Sequence, residues 1–467
     1  METLQRTANR GSVSTGYDID FSCKFEADNQ EELLRTPSSA GNSKTWTVSL
    51  WFKRTELDTY QMLFGSADTY MYFDTSNNVT INFRGASENF FLITNRLFRD
   101  TSAWYHFVVV CDFTNSTAAD RGRLYVNGVR ETSYSNSTYQ NAHSGVSSSW
   151  NNTIAQSIGG QNGSTTFQSS GYMAEVHAVD GSALTSDSFG EFDSNTGIWI
   201  PKAYSGSYGT NGFYLDFADA SDLGDDESGN GNDFTENNIA AADQATDTCT
   251  NNFCTWLSDG TFFNGTNDSV TTKEGGTVIV RNVNTQWITA HATQAVNNGK
   301  WYYEAKVIAQ KNCMIGAAPL DAIIGATNNA YYLGQSTDGT IGFQFSDGNL
   351  FYYTGYTNYV SGGLSTNDIV GFALDMDNNK CYVSVNGTYV NSADPANGTN
   401  GFSILDKEYI FATATYAPNQ EYPFNMGGYT TISISSSASD GNGYGSFEYA
   451  PPSGYYALCT KNLAEFG

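Results

Sequence analysis

Apolar and polar residues alternate along many short segments, as in β-strands that bury one face. In the segment TWTVSLWFKR (45–54), every second residue from Trp46 to Phe52 is apolar. The segment WYYEAKVIAQ (301–310) alternates in the same way, whereas WYHFVVVCDF (104–113) is apolar on both faces. Turn residues separate these segments, and no stretch has a convincing helical period. The pattern predicts an all-β chain built of antiparallel β-sandwiches.

One short phrase occurs in both halves of the chain. The segment RLYVNGVR (123–130) has a counterpart in CYVSVNGTYV (381–390). Each contains Asn-Gly, which supplies the two positive φ angles of a type I′ hairpin turn. In both halves an apolar strand comes before the phrase, and the second half adds a polar turn at 377–379. Two related β architectures in tandem are therefore expected.

Shifts in composition suggest four regions. We expect an N-terminal arm over residues 1–17, a first sandwich over 18–179 and an irregular but ordered connector over 180–273. A second sandwich should occupy residues 274–463. The segment ALTSDSFGEF (183–192) is the one weak helix candidate, and a single helical turn is expected there.

Charge and cysteine content narrow the function classes. The 467 residues carry 48 Asp and Glu against 22 Lys and Arg, giving a formal net charge of −26. Such a polyanion repels phosphates and anionic lipids, so neither nucleic acid binding nor membrane insertion is expected. No run approaches the ~18 apolar residues of a membrane span. No secretory signal is visible, and the seven scattered cysteines suggest no disulfide framework, so we expect synthesis in a reducing cytoplasm.

Longer segments carry a resemblance to known families. Segments 25–54, 103–113 and 171–184 of the first half resemble a laminin-G-like, concanavalin-type jelly roll. In the second half, GKWYYEAKV (299–307), DIVGFALDMDNNKCYVSVNG (368–387) and YAPPSGYYALCTKNL (449–463) resemble a SPRY domain. Both resemblances imply antiparallel sandwiches.

The run from GYMAEVHAVDG to GFYLDFAD (171–219) resembles a module of bacteriophage structural proteins, especially those of marine phages. In that group the jelly roll, this connector and a SPRY domain follow in the same order, and the resemblance spans residues 9–463. It implies a fibre, spike or decoration component at the virion surface. Its partners would be other virion proteins, copies of itself (a trimer by analogy) and a host-surface glycan or receptor. The arm 1–17 would be either a docking segment or a disordered tail.

Candidate catalytic residues are few. Retaining glucanases of the concanavalin type place two carboxylates about 5 Å apart, usually in a Glu-x-Asp-x-x-Glu pattern on one strand. Glu191 and Asp193 begin that pattern, but Thr196 stands where the second Glu belongs, and neither Glu175 nor Asp180 matches it. The sequence also contains no nucleophile elbow or P-loop. No catalytic residue is therefore predicted.

Histidine and cysteine offer little further chemistry. The four histidines are far apart in sequence, and His106 and His177 fall within apolar strand patterns typical of packed side chains. Cys249 and Cys254 have a spacing that zinc accepts, but no second Cys or His pair stands nearby.

A calcium site is one hypothesis for the loop GDDESGNGNDF (224–234). Asp226, Asn230, Asn232 and Asp233 place oxygen ligands among glycines, as calcium loops do. The spacing matches no EF-hand, and ordinary solvated turn residues would look the same.

The segment NLFYYTGYTNYVSGG (349–363) is the candidate ligand site. Tyr352, Tyr353, Tyr356 and Tyr359 lie among glycines and polar residues. A tyrosine ring stacks on a sugar through its apolar face and forms hydrogen bonds through its hydroxyl. Packing of the same tyrosines within a strand is the alternative.

The sequence is compatible with three functions. The favoured one is a non-enzymatic virion surface protein that contributes to recognition of a host glycan or receptor. A polysaccharide depolymerase that uses the concanavalin-like domain is the second, and an adaptor that grips a peptide with its SPRY half is the third.

Overall fold

A computed structural model describes residues 16–83, 90–138, 147–262, 270–281, 287–309, 311–324, 332–335, 337–353, 355–417 and 419–467. Most of the predicted arm, residues 1–15, and His143 lie outside the described residues. The chain divides into two compact units, a first unit that ends at Asn251 and a second that begins at Asn252.

The first unit consists almost entirely of short strands. In chain order they are β1 (Ser22–Phe25), β2 (Glu32–Arg35), β3 (Thr45–Arg54), β4 (Gln61–Ser66), β5 (Thr69–Phe73), β6 (Asn78–Phe83), β7 (Phe91–Leu97), β8 (Trp104–Asp112), β9 (Gly122–Val126), β10 (Val129–Arg130), β11 (Tyr134–Thr138), β12 (Gln156–Ile158), β13 (Gly171–Asp180), β14 (Gly190–Phe192), β15 (Trp199–Pro201), β16 (Phe213–Leu215), β17 (Thr235–Asn237) and β18 (Gln244–Ala245). The expected single helical turn is a 3-10 turn at Ser186–Ser188.

These strands form an antiparallel sandwich. Sheet A has the strand order β10-β9-β8-β3-β13-β1-β18, with β16 also paired to β13, and sheet B has the order β11-β7-β6-β5-β4-β12-β2-β17. Strands β14 and β15 form a separate hairpin. The predicted alternation in β3 is confirmed, because Trp46, Val48, Leu50 and Phe52 all belong to the buried core of the first unit.

The outer face of sheet A is also covered. Val108 and Val110 of β8 pack there against Phe189, Leu184 and Tyr204 from the chain that follows β13. This cover explains why β8 is apolar on both faces. The predicted connector 180–273 therefore contributes packing residues to the first unit.

The second unit is a second sandwich. Its strands are β19 (Trp256–Phe262), β20 (Val270–Lys273), β21 (Val278–Arg281), β22 (Ile288–Val296), β23 (Lys300–Lys306), β24 (Cys313–Pro319), β25 (Ile341–Gln344), β26 (Asn349–Tyr352), β27 (Gly355–Asn358), β28 (Ile369–Asp375), β29 (Lys380–Val385), β30 (Thr388–Tyr389), β31 (Phe402–Ser403), β32 (Tyr409–Thr415), β33 (Glu421–Asn425) and β34 (Tyr456–Ala457). Its helices are α1 (Leu320–Ile324) and α2 (Thr460–Phe466).

Sheet C has the order β19-β22-β32-β24-β25-β26-β27, and sheet D has the order β20-β21-β33-β23-β28-β29-β30. In sheet D, β31 also pairs with β29, and β34 pairs in parallel with β23. The prediction of an all-β chain with tandem antiparallel sandwiches is confirmed. No helix among the described residues is long and apolar enough to cross a membrane.

The two Asn-Gly turns have the same geometry, as predicted. Asn127 and Asn386 both have φ 48°, and Gly128 and Gly387 have φ 81° and 76°. In each turn the Asn side-chain oxygen accepts a backbone N–H from the strand paired beside the hairpin, from His106 of β8 at 2.8 Å and from Ile369 of β28 at 2.9 Å. The repeated phrase therefore encodes one structural device used in both sandwiches.

Candidate functional site

An open cleft of about 550 Å³ lies where β3 begins and β13 ends in the first unit. Three loops line it, with residues 41–44, Asp180 and Gly181, and Gly209 and Thr210. The lining residues are small or polar, which gives the cleft a polar, shallow character. Among the described residues, Asp180 is the single carboxylate that lines it.

Hydrogen bonds from three residues hold Asp180 in the lining of this cleft. Its Oδ1 accepts hydrogen bonds from the backbone N–H of Asn42 at 2.7 Å and from Asn151 Nδ2 at 3.1 Å. Its Oδ2 accepts the backbone N–H of Asn211 at 3.0 Å, and the residue is 8% exposed. A Cβ on Gly41 would lie 2.2 Å from Oδ2, so only glycine allows this close approach. The carboxylate is thus presented in a fixed position.

This arrangement suits recognition of hydroxyl-rich ligands. Each carboxylate oxygen has two acceptor sites, so the three observed donors do not saturate Asp180. Ser43, Lys44 and Thr210 add side-chain hydroxyl and amine groups around it. Glycosidic cleavage with retention needs a second carboxylate at about 5 Å, which the described lining of the cleft does not supply.

The carboxylates that resembled a glucanase pattern lie elsewhere. Glu191 is on the β14–β15 hairpin, outside sheets A and B, where its carboxylate is 3.8 Å from Lys202 Nζ and well exposed. Asp193 Oδ1 accepts hydrogen bonds from the backbone N–H groups of Asn195 and Thr196 and from the Thr196 hydroxyl. These bonds lower the pKa of Asp193. Asp193 therefore stabilises a turn, and neither Glu191 nor Asp193 lines the cleft at Asp180.

A buried polar network lies at a bulge in β13. Glu175 has φ 52° and is 5% exposed, and its carboxylate accepts the hydroxyls of Tyr214 at 2.6 Å and Tyr17 at 3.0 Å. The His177 ring stacks on Tyr214 with centroids 4.3 Å apart, and its Nδ1 is 2.9 Å from the Tyr208 hydroxyl. Burial and Glu175 raise the pKa of Tyr17 and Tyr214. The network joins the segment around Tyr17 to sheet A.

The aspartates of the predicted calcium loop accept hydrogen bonds from other groups of the protein. Asp226 Oδ1 accepts the backbone N–H groups of Tyr214 and Ser228, and Oδ2 accepts the backbone N–H of Asn232 and the Ser228 hydroxyl. Asp233 Oδ1 accepts the Asp226 N–H at 3.2 Å. No cluster of three or more His, Cys, Asp or Glu ligands occurs in the part of the chain that the structure describes. Calcium binding at this loop stays a prediction.

The asparagines of the same loop donate hydrogen bonds to the chain segment that contains Gly209 and Thr210. Asn230 Nδ2 donates to the carbonyls of Gly209 and Gly212, and Asn232 Nδ2 also donates to Gly212. Asn232 Oδ1 accepts a hydrogen bond from Arg35 at 2.5 Å. Since Gly209 lines the cleft, the loop supports one wall of the candidate site.

The four predicted tyrosines separate into two pairs. Tyr352 and Tyr359 pack against the core of the second unit, and the Tyr359 ring lies 5.1 Å from that of Phe402. Tyr353 and Tyr356 are 39% and 65% exposed on the β26–β27 hairpin. The structure therefore offers two of the four tyrosines to a ligand.

Tyr356 ends a row of contacting rings in the second unit. Ring centroids are 5.8 Å apart between Trp287 and Tyr332, 5.1 Å between Tyr332 and Phe351, and 5.2 Å between Phe351 and Tyr356. Sequence reasoning missed Trp287 and Tyr332, because only the folded sheet places them beside the hairpin.

A comparison with known protein families gives a match to part of the first unit. Residues 28–188 match the family model of the concanavalin A-like lectin/glucanases superfamily. The first sandwich is a concanavalin-like domain. That superfamily description includes both lectins and glucanases, so the match alone does not separate binding from cleavage. No curated protein gave a match.

Solved structures similar to this chain have low scores. The SPRY domain of human HERC1 is 13% identical with a TM-score of 0.26, covering 32% of this chain and 89% of that chain. A pentraxin from Limulus polyphemus is 18% identical with a TM-score of 0.27, covering 36% of this chain and 80% of that one. A Bacteroides ovatus protein provisionally assigned as carbohydrate binding is 14% identical with a TM-score of 0.32, covering 47% of this chain and 59% of its own length.

Sequence reasoning also missed the cleft itself. Asp180 matches no catalytic pattern in the sequence, and Asn42, Asn151 and Asn211 are far from it along the chain. The closest signal was the concentration of Asn, Asp and Gly between the predicted strands, which marks loops without showing which loops meet.

Proposed function

We propose that the protein is a non-enzymatic binding protein that recognises a glycan through the cleft at Asp180. The observation that carries this proposal is the single fixed carboxylate in an open polar cleft of a concanavalin-like domain. Carboxylate and amide groups in fixed positions recognise sugar hydroxyls by their hydrogen-bond geometry. A lone carboxylate supports binding and gives no partner for the acid and nucleophile roles of cleavage.

The expected ligand is a neutral glycan. The chain carries a net charge of −26, which repels polyanionic polysaccharides at long range. The hairpin tyrosines Tyr353 and Tyr356 are a second candidate surface, on which a sugar ring would stack.

We further propose that this binding takes place at the surface of a bacteriophage particle. The support is the resemblance of the run 171–219, and of the order of the regions, to phage structural proteins. In that setting the protein would contact other virion proteins and copies of itself, with a trimer expected by analogy. Immunogold labelling of intact particles tests virion membership, and its failure would leave the glycan-binding proposal standing.

A single incubation tests binding against cleavage. The full chain is mixed with neutral host-envelope polysaccharide, and both co-sedimentation and newly formed reducing ends are measured. Retention without new reducing ends is expected. Release of reducing ends would favour the depolymerase, and absence of retention would refute the proposed function.

A further inference from the structure

A lysine and two carboxylates are buried together in the first unit. Lys24 in β1 is 1% exposed, and its Nζ lies 2.9 and 3.0 Å from the two carboxylate oxygens of Glu31. The same Nζ lies 2.8 Å from Oδ1 of Asp243. Glu31 and Asp243 are 2% and 7% exposed. Burying three ionisable groups carries a large desolvation cost, which neutralisation would remove.

Asp243 is held in a position that suits attack by the amine. It ends the 3-10 turn Ala241–Asp243, and its Oδ2 accepts the backbone N–H of Ala240 at 2.9 Å. Pairing of Cys23 with Gln244 sets Lys24 opposite Asp243 along β1. Oδ1 therefore faces the amine while a backbone donor polarises Oδ2. Reactive groups held this close correspond to the near-attack geometry of intramolecular reactions.

We propose that Lys24 and Asp243 form an intramolecular isopeptide bond and that Glu31 moves the protons of that reaction. Lys24 Nζ forms a bond to Asp243 Cγ, and the bond from Cγ to Oδ1 breaks. Glu31 takes two protons from the amine nitrogen, one after the other, and passes both to the departing oxygen, which leaves as water. An ammonium and a carboxylate become one amide and one water molecule, so atoms and charge balance without any further reactant.

The chemistry of Glu31 fits this role. Burial is the largest cause that raises its pKa, to about 7, against the lowering effect of Lys24. A carboxyl group with that pKa both accepts and donates a proton near neutral pH. The Ala240 N–H would stabilise negative charge on Oδ2 as the tetrahedral intermediate forms.

A second buried pair provides an internal control. Lys53 Nζ lies 2.6 Å from Asp247 Oδ2, and both side chains are at most 1% exposed. Asp247 Oδ1 accepts the indole N–H of Trp104 at 3.0 Å. In the first cluster, Asp243 and Glu31 both contact the amine of Lys24. The bond is assigned to Lys24 because Glu31 lies within hydrogen-bond distance of that amine and can move its protons.

The mass of the full chain, measured under denaturing conditions after incubation at neutral pH, tests the proposal. A mass lower by one water is expected, with loss of tryptic cleavage after Lys24 and a branched peptide that joins Lys24 to Asp243. An unchanged mass would overturn the proposal. So would a water loss confined to an Asp-Gly peptide, as in a succinimide, or a branched peptide that joins Lys53 to Asp247.

Variants separate the bond from its proton transfer. Lys24→Arg and Asp243→Ala should keep the full mass, whereas Lys53→Arg should still lose water. Glu31→Gln, checked for folding by circular dichroism, should slow the water loss at least tenfold. Water loss at the wild-type rate in folded Glu31→Gln would refute the role of Glu31. If that variant does not fold, the wild-type mass and peptide map still decide whether the bond exists.

Discussion

The indole N–H of Trp199 donates a hydrogen bond to His106 Nδ1 at 2.9 Å, so a residue of the region after β13 fixes a histidine in the centre of sheet A. The neutral ring carries its proton on Nε2, which is 2.8 Å from Ser49 Oγ. The same ring stacks on Trp51 with centroids 4.6 Å apart. These contacts favour the neutral form of His106. They also attach the outer layer of the first unit to sheet A.

The neutral state of His106 predicts an acid-sensitive fold. Burial lowers the pKa of His106 to about 3, whereas the unfolded chain has its ordinary value near 6.5. Below pH 6.5 the unfolded state binds a proton at this histidine that the folded state does not bind. The free energy of unfolding therefore falls as pH drops from 6.5 towards 3. His106 should contribute at most about 1.4 kcal/mol per pH unit to the slope of unfolding free energy against pH. Denaturant unfolding at several pH values should show a shallower slope for His106→Gln. Equal slopes for the two proteins would contradict this account.

The same tryptophan makes a glycine necessary. Gly128 has φ 81°, and a Cβ there would lie 2.2 Å from the Trp199 ring. Gly128→Ala should cost about 1–2 kcal/mol from the backbone and about 1–3 kcal/mol more from overpacking. Gly229→Ala is the matched control, because Gly229 has φ 82° and nothing within 4 Å of its Cβ position. Equal losses of unfolding free energy in the two variants would show that a clash with Trp199 contributes nothing to the cost of Gly128→Ala.

Local patterns predicted much of this fold. The alternation in β3 and the two Asn-Gly turns depend on neighbouring residues, and the structure confirms both. The cleft at Asp180 depends on contacts between residues far apart in sequence, which no local pattern can predict. Asp180 gains its donors from Asn42, Asn151 and Asn211, and these come together only when the sandwich closes. The sequence of β8 predicts burial on both faces, but it does not predict which residues cover the outer face.

A buried carboxylate should matter more than an exposed one in the second unit. Glu304 is fully buried, and it accepts the backbone N–H groups of Glu448 and Tyr449 at 3.0 and 2.9 Å. Glu304→Gln loses acceptor capacity and should cost about 1–3 kcal/mol in unfolding free energy. Glu421→Gln, which removes an exposed pair with Lys273, should cost less than about 1 kcal/mol. A smaller effect at Glu304 than at Glu421 would refute the assigned role.

The two candidate binding surfaces make different predictions. Tyr356 is 65% exposed, and loss of its ring should remove stacking worth about 0.5–1.5 kcal/mol if sugars bind there. We expect Tyr356→Ala to leave glycan affinity unchanged within twofold, because the cleft at Asp180 is the assigned site. A tenfold loss of affinity in Tyr356→Ala, measured by titration calorimetry, would move the site to the second unit.

Blocking the cleft is the most direct test of glycan recognition by the first unit. Thr210 is an exposed residue of the cleft lining, so Thr210→Trp should obstruct the cleft without disturbing the core. Titration calorimetry with a neutral glycan that wild type retains should show at least a tenfold loss of affinity in Thr210→Trp, with the glycan chain length unchanged throughout. Unaltered affinity in Thr210→Trp, or shortening of the glycan by the wild type, would contradict the account.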